Sequence, residues 1–287
     1  MNKDNLFSQI FGKVAKISFF KPLQEAINSF YIKLFKIDMS EFKPANEYKN
    51  LNELFTRRLI KPRDFDVADE IFISPVDGTC LSFGSTKELK AFSIKGMEYS
   101  VSELLGQSEL EGEYDFANIY LSPKDYHHYH APCDIAIKKA IYIPGKLYSV
   151  AAKWLAKVDS LYTKNERVAL FCEIKNGKKL WLVFVGALNV GKMKFCFDER
   201  IQTNAMANFT QIYEYGNLHI KKGERLGNFE LGSTIVILSE KDAIEYNLFE
   251  NKEHKYARHM SKIFYTLLGR CPICLDFGGF FIYPYII

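Results

Sequence analysis

The sequence has no long apolar run. No stretch reaches the roughly 20 apolar residues that a helix needs to cross a bilayer, and the aromatic tail FGGFFIYPYII, Phe277 to Ile287, is interrupted by glycines and a proline. Any membrane association is therefore expected to be peripheral. The first residues also lack the unbroken apolar core of a secretory leader. The six cysteines (Cys80, Cys133, Cys172, Cys196, Cys271 and Cys274) are scattered over 287 residues. That spread argues against a small disulfide scaffold and sets reduced thiols in a cytoplasmic setting as the expectation. Cys271-Pro-Ile-Cys274 is a single pair, whereas a structural zinc site calls for a second. Internal repeats and low-complexity segments are missing as well.

What is present begins with an uneven charge. The net +4 resides in the first 36 residues, where Lys3, Lys13, Lys16, Lys21, Lys33 and Lys36 face only Asp4 and Glu25. The rest of the chain is balanced, which points to a basic arm meeting an anionic surface. Leu6, Ile10, Val14 and Ile17 recur at helical spacing with lysines on the other side, and Pro22 opens a second pattern through Leu23, Ile27, Phe30, Tyr31 and Leu34. Such helices pack their apolar stripe on a core as a hairpin, or lay it in a membrane interface with the lysines toward anionic headgroups. LNELFTRRLIKP, from Leu51, reads as a further helix, with Arg57 and Arg58 as surface charges or headgroup contacts.

From Ile71 the text changes to short strands punctuated by turns: TCLSF, FANIYL, IAIKKAIYIPGKLYSV, VALFCEI, KKLWLVFVGALNVGKMKF and STIVIL. Asn176-Gly177 signals a hairpin between two of them. The fold class is α+β, with N-terminal amphipathic helices followed by a compact, mainly antiparallel β domain. The expected division is a helical membrane-associating region over 1–70, a β-rich catalytic domain over 71–258, and a tail over 259–287 that the reading leaves unassigned.

Three local groups carry candidate chemistry: SPVDGT with Asp77, SPKDYHHYHAP with His127, His128 and His130, and Gly232-Ser233-Thr234 inside NFELGSTIVIL. Each alone has a bland explanation, since Asp-Gly makes turns and Ser-Thr opens strands. Three of the six histidines within four residues point instead to acid, base or ligand chemistry. A carboxylate, a histidine and a hydroxyl are the parts of an activated nucleophile. His128-x-His130 also puts two imidazoles on one side of a strand, as in zinc hydrolases, but His219, His254 and His259 form no second ligand motif. A zinc-dependent hydrolase and a non-enzymatic membrane lipid-binding protein are the alternatives to an activated serine.

Taken together, PVDGT, SPKDYHHYHAP, NERV at Asn165 to Val168, and LGST at Leu231 to Thr234 resemble bacterial phosphatidylserine decarboxylases in order and spacing, from about Asn46 to Glu250. The resemblance implies self-cleavage between Gly232 and Ser233. It implies a β chain of residues 1–232, an α chain of residues 233–287, and a covalent pyruvoyl (pyruvate-type) cofactor derived from Ser233. Glycine has no Cβ, which leaves its carbonyl open to the neighbouring hydroxyl. On this resemblance His130 removes the Ser233 proton, Asp77 orients and stabilises His130, and His127 is the acid that reprotonates the carbanion after phosphatidylserine, bound as a Schiff base, loses carbon dioxide and becomes phosphatidylethanolamine. No metal is implied. His128 receives no role. The implied partners are phosphatidylserine and an anionic membrane surface, on the cytoplasmic face of the cell membrane, with a homo-oligomer permitted and no nucleic acid. Arg57, Arg58 and Arg167 are candidate phosphate contacts, with structural ion pairing as the competing explanation.

Overall fold

The computed structural model describes residues 14–92, 97–108, 110–150, 155, 157–175, 177–187, 192–203, 209–230, 233–246, 253–254 and 259–263. Its helices are α1 (Lys21–Phe35), α2 (Leu51–Phe55), α3 (Val101–Leu105) and α4 (Leu161–Lys164). The strands begin with β1 (Ile71–Ile73), β2 (Gly78–Ser85), β3 (Lys90–Phe92), β4 (Glu98–Ser100), β5 (Tyr114–Leu121), β6 (His128–His130) and β7 (Ile135–Ile143). They continue with β8 (Arg167–Ile174), β9 (Lys179–Val185), β10 (Met193–Phe195), β11 (Gln211–Ile220), β12 (Arg225–Phe229) and β13 (Ser233–Glu240). Three short strands follow: β14 (Ile244–Tyr246), β15 (Glu253–His254) and β16 (His259–Ile263). The α+β class and the antiparallel character expected from the sequence are both observed.

An eight-stranded sheet in the order β11-β7-β8-β9-β13-β5-β2-β15 forms the body, and its pairings are antiparallel. β13 lies inside it between β9 and β5, which explains its continuous β-branched run: both faces are buried. Alternation sends Ile235 and Ile237 to one face and Val236 and Leu238 to the other. The first face is covered by a three-stranded sheet, β10-β12-β6, through Tyr129, Phe195 and Phe229. The second is covered by α3 and α4 through Leu104, Leu105, Leu161 and Tyr162. The β8–β9 hairpin forms as expected, with Gly177 at φ 77°. β12 lies so close to its neighbours that a Cβ on Gly227 would meet the Lys194 carbonyl oxygen at 1.8 Å.

β1, β16 and β14 form a separate sheet with β16 in the middle. The start of the unassigned tail is therefore paired on both sides, while residues 264–287, including Cys271 and Cys274, lie outside the described residues. Most of the first expected helix, with Leu6 and Ile10, lies outside them too.

The second expected helix is α1, and it packs the opposite way from a helix on a core. Its buried residues are Gln24 and Asn28, whereas Leu23, Phe30 and Leu34 are exposed. The buried face is a polar ladder: the Phe19 N–H donates to Gln24 Oε1 at 3.2 Å, Gln24 Nε2 donates to Asn28 Oδ1 at 2.8 Å, and Asn28 Nδ2 donates to the Ala45 and Tyr48 carbonyls at 2.9 Å each. The helix is thus tied to the 45–48 segment by hydrogen bonds, which leaves its apolar stripe outward. Replacing Asn28 with Ala strands two carbonyls and one amide, and is expected to cost about 1–3 kcal/mol. Urea denaturation of N28A measures this; a change within a few tenths of a kcal/mol would show that the ladder does not anchor the helix.

Candidate active site

β5 ends at Leu121, and the chain turns through Ser122–His127 before entering β6. The turn is closed by Asp125, whose Oδ2 accepts from the Ser122 N–H and Oγ, both at 2.7 Å. β6 pairs antiparallel with β12, with Asn228 opposite His128 and Arg225 opposite His130. One step further, the Phe229 N–H donates to the His127 carbonyl at 3.0 Å. β12 then leads toward β13, whose first residue, Ser233, stands opposite Leu121 in the register with β5. The histidine segment and the strand carrying Ser233 therefore share one end of the sheet. The turn before Asp77 joins them, because the His130 N–H donates to the Pro75 carbonyl at 2.9 Å. Leu231 and Gly232 lie outside the described residues, so Ser233 is located by its backbone register alone.

All three clustered histidines are buried, and hydrogen bonds fix their tautomers. His127 Nδ1 donates to the Asp125 carbonyl at 2.8 Å, which leaves Nε2 as the lone-pair nitrogen, and among the described residues Nε2 has no hydrogen-bond partner. The ring lies 3.9 Å from that of Phe55. Burial, reinforced by the Arg57 charge, pushes its pKa down to about 3. His130 donates from Nδ1 to the Gly223 carbonyl at 2.9 Å and has the Tyr126 hydroxyl 3.2 Å from Nε2; burial lowers its pKa to about 4. His128 donates from Nε2 to the Thr56 carbonyl at 3.0 Å, and its Nδ1 lies 3.1 Å from Arg225 Nη1. Its pKa is also about 3, mainly through burial. Tyr126 stacks on His128 at 5.0 Å and leans on His130 at 5.8 Å, so these two rings share a face of β6.

Asp77 is held by a partner the sequence reading missed. Arg63 donates to both its carboxylate oxygens, at 2.6 and 3.0 Å, and grips Glu41 in the same two-pronged way at 2.8 Å each. Its guanidinium also lies 5.7 Å from the centre of the Tyr126 ring. Arg63, Tyr126 and the Gly223 carbonyl are thus the unforeseen parts of the site. Pro-Arg at 62–63 offered no signal beyond a charge near a proline.

Two of the three candidate phosphate arginines are structural. Arg57 is buried and donates to the Asp125 carbonyl at 3.0 Å, to that of Lys124, and more distantly to that of Leu54. It therefore braces the carbonyl that receives the His127 N–H. Arg167 is buried too, with its donors spent on the Leu104, Thr163, Asn165 and Glu103 carbonyls at 2.6–2.8 Å. Asn165 and Glu166 of the same motif fasten Tyr148, Gly186 and Tyr142. Only Arg58 is exposed, and it faces a cavity of about 610 Å³ beside His128.

Among the described residues no group of three or more His, Cys, Asp or Glu side chains is arranged to hold a metal. Both nitrogens of His128 are occupied by Thr56 and Arg225, an arrangement that suits a hydrogen-bonding bridge and opposes a zinc ligand.

A model of the phosphatidylserine decarboxylase family matches residues 51–261. The phosphatidylserine decarboxylase proenzyme of Campylobacter jejuni is 56% identical over 251 residues, covering 84% of this chain and 92% of that one. The proenzyme of Helicobacter pylori is 48% identical over 243 residues, covering 84% and 91%, and that of Idiomarina loihiensis 38% over 258 residues, covering 85% and 86%. The chain belongs to the phosphatidylserine decarboxylase family. It is accordingly a decarboxylase, a carboxy-lyase. The matched region reaches from α2 into β16, so it includes all four candidate residues Asp77, His127, His130 and Ser233.

In this decarboxylase the three histidines tie stability to pH. Their folded pKa values lie below the ordinary 6.5, at about 3, 3 and 4, so unfolding takes up protons. Stability is full above pH 6.5 and is lost as pH falls toward 4, by up to about 1.4 kcal/mol per pH unit for each imidazole. Urea midpoints between pH 7.5 and 4.5 should fall steeply, and H128Q should flatten the slope by about one proton. A profile independent of pH would contradict the neutral assignments.

Proposed function

We propose that the chain cuts itself between Gly232 and Ser233 and, once processed, converts phosphatidylserine to phosphatidylethanolamine. The observation that supports this reading is that β12 is hydrogen-bonded to the histidine segment, while β13 begins at Ser233 opposite Leu121, where the chain leaves β5 for that segment. His130 is neutral because it is buried, and with Nδ1 committed to Gly223 its basic nitrogen is Nε2. That nitrogen takes the Ser233 hydroxyl proton as Oγ attacks the Gly232 carbonyl carbon. The peptide C–N bond breaks and an ester forms. Removal of the Ser233 α-proton then expels the Gly232 carboxylate, releasing residues 1–232, and hydrolysis of the new amino terminus of residues 233–287 liberates ammonia. Asp77, with its negative charge anchored by Arg63, favours the transient imidazolium.

The pyruvoyl group left on residues 233–287 supplies a ketone that acts as an electron sink for an amine-bearing carboxylate. The chain's own features suit such a group: His127 Nε2 is buried and has no partner among the described residues, which fits a site completed by processing or by substrate. His127 rests neutral, and Nε2 is the nitrogen through which a proton is returned to the carbon losing carbon dioxide.

The enzyme works peripherally on the cytoplasmic face of an anionic membrane. Support comes from the outward stripe of α1 and the residues before it, with Phe20 70%, Phe30 67% and Leu34 58% exposed beside Lys21, Lys33 and Lys36. No helix among the described residues is long and apolar enough to cross a membrane. Burying a Phe side chain contributes about 1.5–3 kcal/mol, so F20S/F30S should weaken sedimentation with phosphatidylserine-containing vesicles by tenfold or more, roughly. Unchanged sedimentation would remove α1 from the docking surface.

The chemical roles are separable. S233A should give neither cleavage nor product, and H130A should slow cleavage by about 10²–10⁴. H127A should cleave, yet lose about 10²-fold or more in turnover. Denaturing gels report cleavage, and thin-layer chromatography of phosphatidylethanolamine reports turnover. Full turnover by H127A would remove its role, and cleavage of S233A would remove the whole scheme.

A further inference from the structure

The histidine without a role lies at the wall of a cavity. This space of about 610 Å³ is bounded by the end of α2, by β10 and by β12, and it carries Thr56, Arg58, His128, Lys192, Lys194 and Arg225 among its walls. Its volume is that of a small-molecule site, typically about 300–1,000 Å³. Its charge is unbalanced. Glu230, buried in the wall, is neutralised by Lys16 and Lys194, each at 2.8 Å. Among the described residues Arg58, Lys192 and Arg225 make no ion pair, and the exposed Glu199 is the remaining acid on the rim.

Arg225 is the best prepared of these cations. Its Nη1 is fixed 3.1 Å from His128 Nδ1, and His128 is fixed in turn by its Nε2 hydrogen bond to Thr56. Because that hydrogen bond leaves Nδ1 as an acceptor, the neutral ring orients a guanidinium without cancelling its charge. Among the described residues the rest of the fork meets no acceptor, and a paired N–H geometry suits a phosphate oxyanion. The cavity also borders the reacting end of the molecule: Asn228 and Glu230 line it, and Ser233 follows three residues after Glu230.

We propose that this cavity seats the phosphodiester of the substrate headgroup, with Arg225 as the anchoring residue and His128 as the positioning residue that holds Arg225. The inference rests on the phosphatidylserine reading above. The phosphate is the assigned anion, and the serine carboxylate is not, for a physical reason. A cation on the carboxylate stabilises charge that leaves with carbon dioxide and so opposes the reaction, whereas a cation on the phosphodiester binds ground state and transition state alike. Loss of the anchor therefore raises KM and spares kcat.

The test pairs kinetics with equilibrium binding. In the processed full-length enzyme, R225Q should raise KM for phosphatidylserine in mixed micelles about tenfold, the worth of a charged hydrogen bond, with kcat within about twofold and self-cleavage unaffected. H128A should act in the same direction, and H128Q, which keeps an acceptor and a donor, should restore part of the loss. In the full-length S233A chain, glycerophosphoserine should bind saturably in a titration followed by phosphorus NMR, more weakly by about tenfold with R225Q, and more tightly than inorganic phosphate. An unchanged KM in R225Q, a fall in kcat alone, or equal affinity for inorganic phosphate and the headgroup would overturn the assignment. Arg225-dependent binding together with an unmutated Ser233 chain that neither cleaves nor decarboxylates would keep the anion site and remove the proposed reaction. Normal cleavage and turnover indifferent to Arg225 would do the reverse.

Discussion

The antiparallel pairing of β6 with β12 is the constraint on which the site depends. β6 is only three residues long, yet two of its three side chains are imidazoles, and its partner is the strand that precedes Gly232-Ser233 in the sequence. Neither strand could hold this position by its own few hydrogen bonds. The pair is pressed onto the large sheet by Tyr129, which packs 4.3 Å from Phe184 and 4.9 Å from Phe229. Gly227 permits that approach, since any side chain there would collide with the neighbouring carbonyl of Lys194. Backbone pairing, aromatic packing and one missing Cβ together fix the histidines relative to Ser233.

Burial then decides what the histidines are. Surrounded by protein and by arginines, the three rings are neutral, and carbonyls at Asp125, Thr56 and Gly223 each choose which nitrogen keeps the proton. Neutral imidazoles with a chosen lone pair are bases, the state needed to start the proposed cleavage. The arginines serve different ends. Arg57 braces a carbonyl, Arg63 holds a carboxylate, and Arg225 is held by His128 with no ion-pair partner among the described residues. Similar residues in one neighbourhood thereby acquire separate tasks through what they are bonded to.

Much of this was legible in the sequence. The apolar runs became β2, β5, β7, β8, β9 and β13, and β13 is the clearest because it is buried on both faces. The candidate residues were picked out because chemical side chains clustered at the junctions between those runs. β11 and β12 were not. The first alternates polar and apolar residues around Gly216 on an exposed edge, and the second mixes Arg225, Gly227 and Asn228 among only two apolar residues. Periodicity revealed the apolar stripe of α1 but not which side met the protein, since the polar ladder through Gln24 and Asn28 has no apolar signature. Arg63 was invisible for another reason. Its partners lie 22 and 14 residues away in sequence and meet it only through the fold.

The proposed activity depends on the 232–233 bond being cut by the chain itself to leave a ketone. Intact-mass measurement of the purified, denatured protein, with and without hydroxylamine, tests this most directly. It should resolve two chains, residues 1–232 and residues 233–287, with only the smaller gaining the mass of one trapped carbonyl. A protein that turns over phosphatidylserine as a single 287-residue chain with nothing to trap would contradict it.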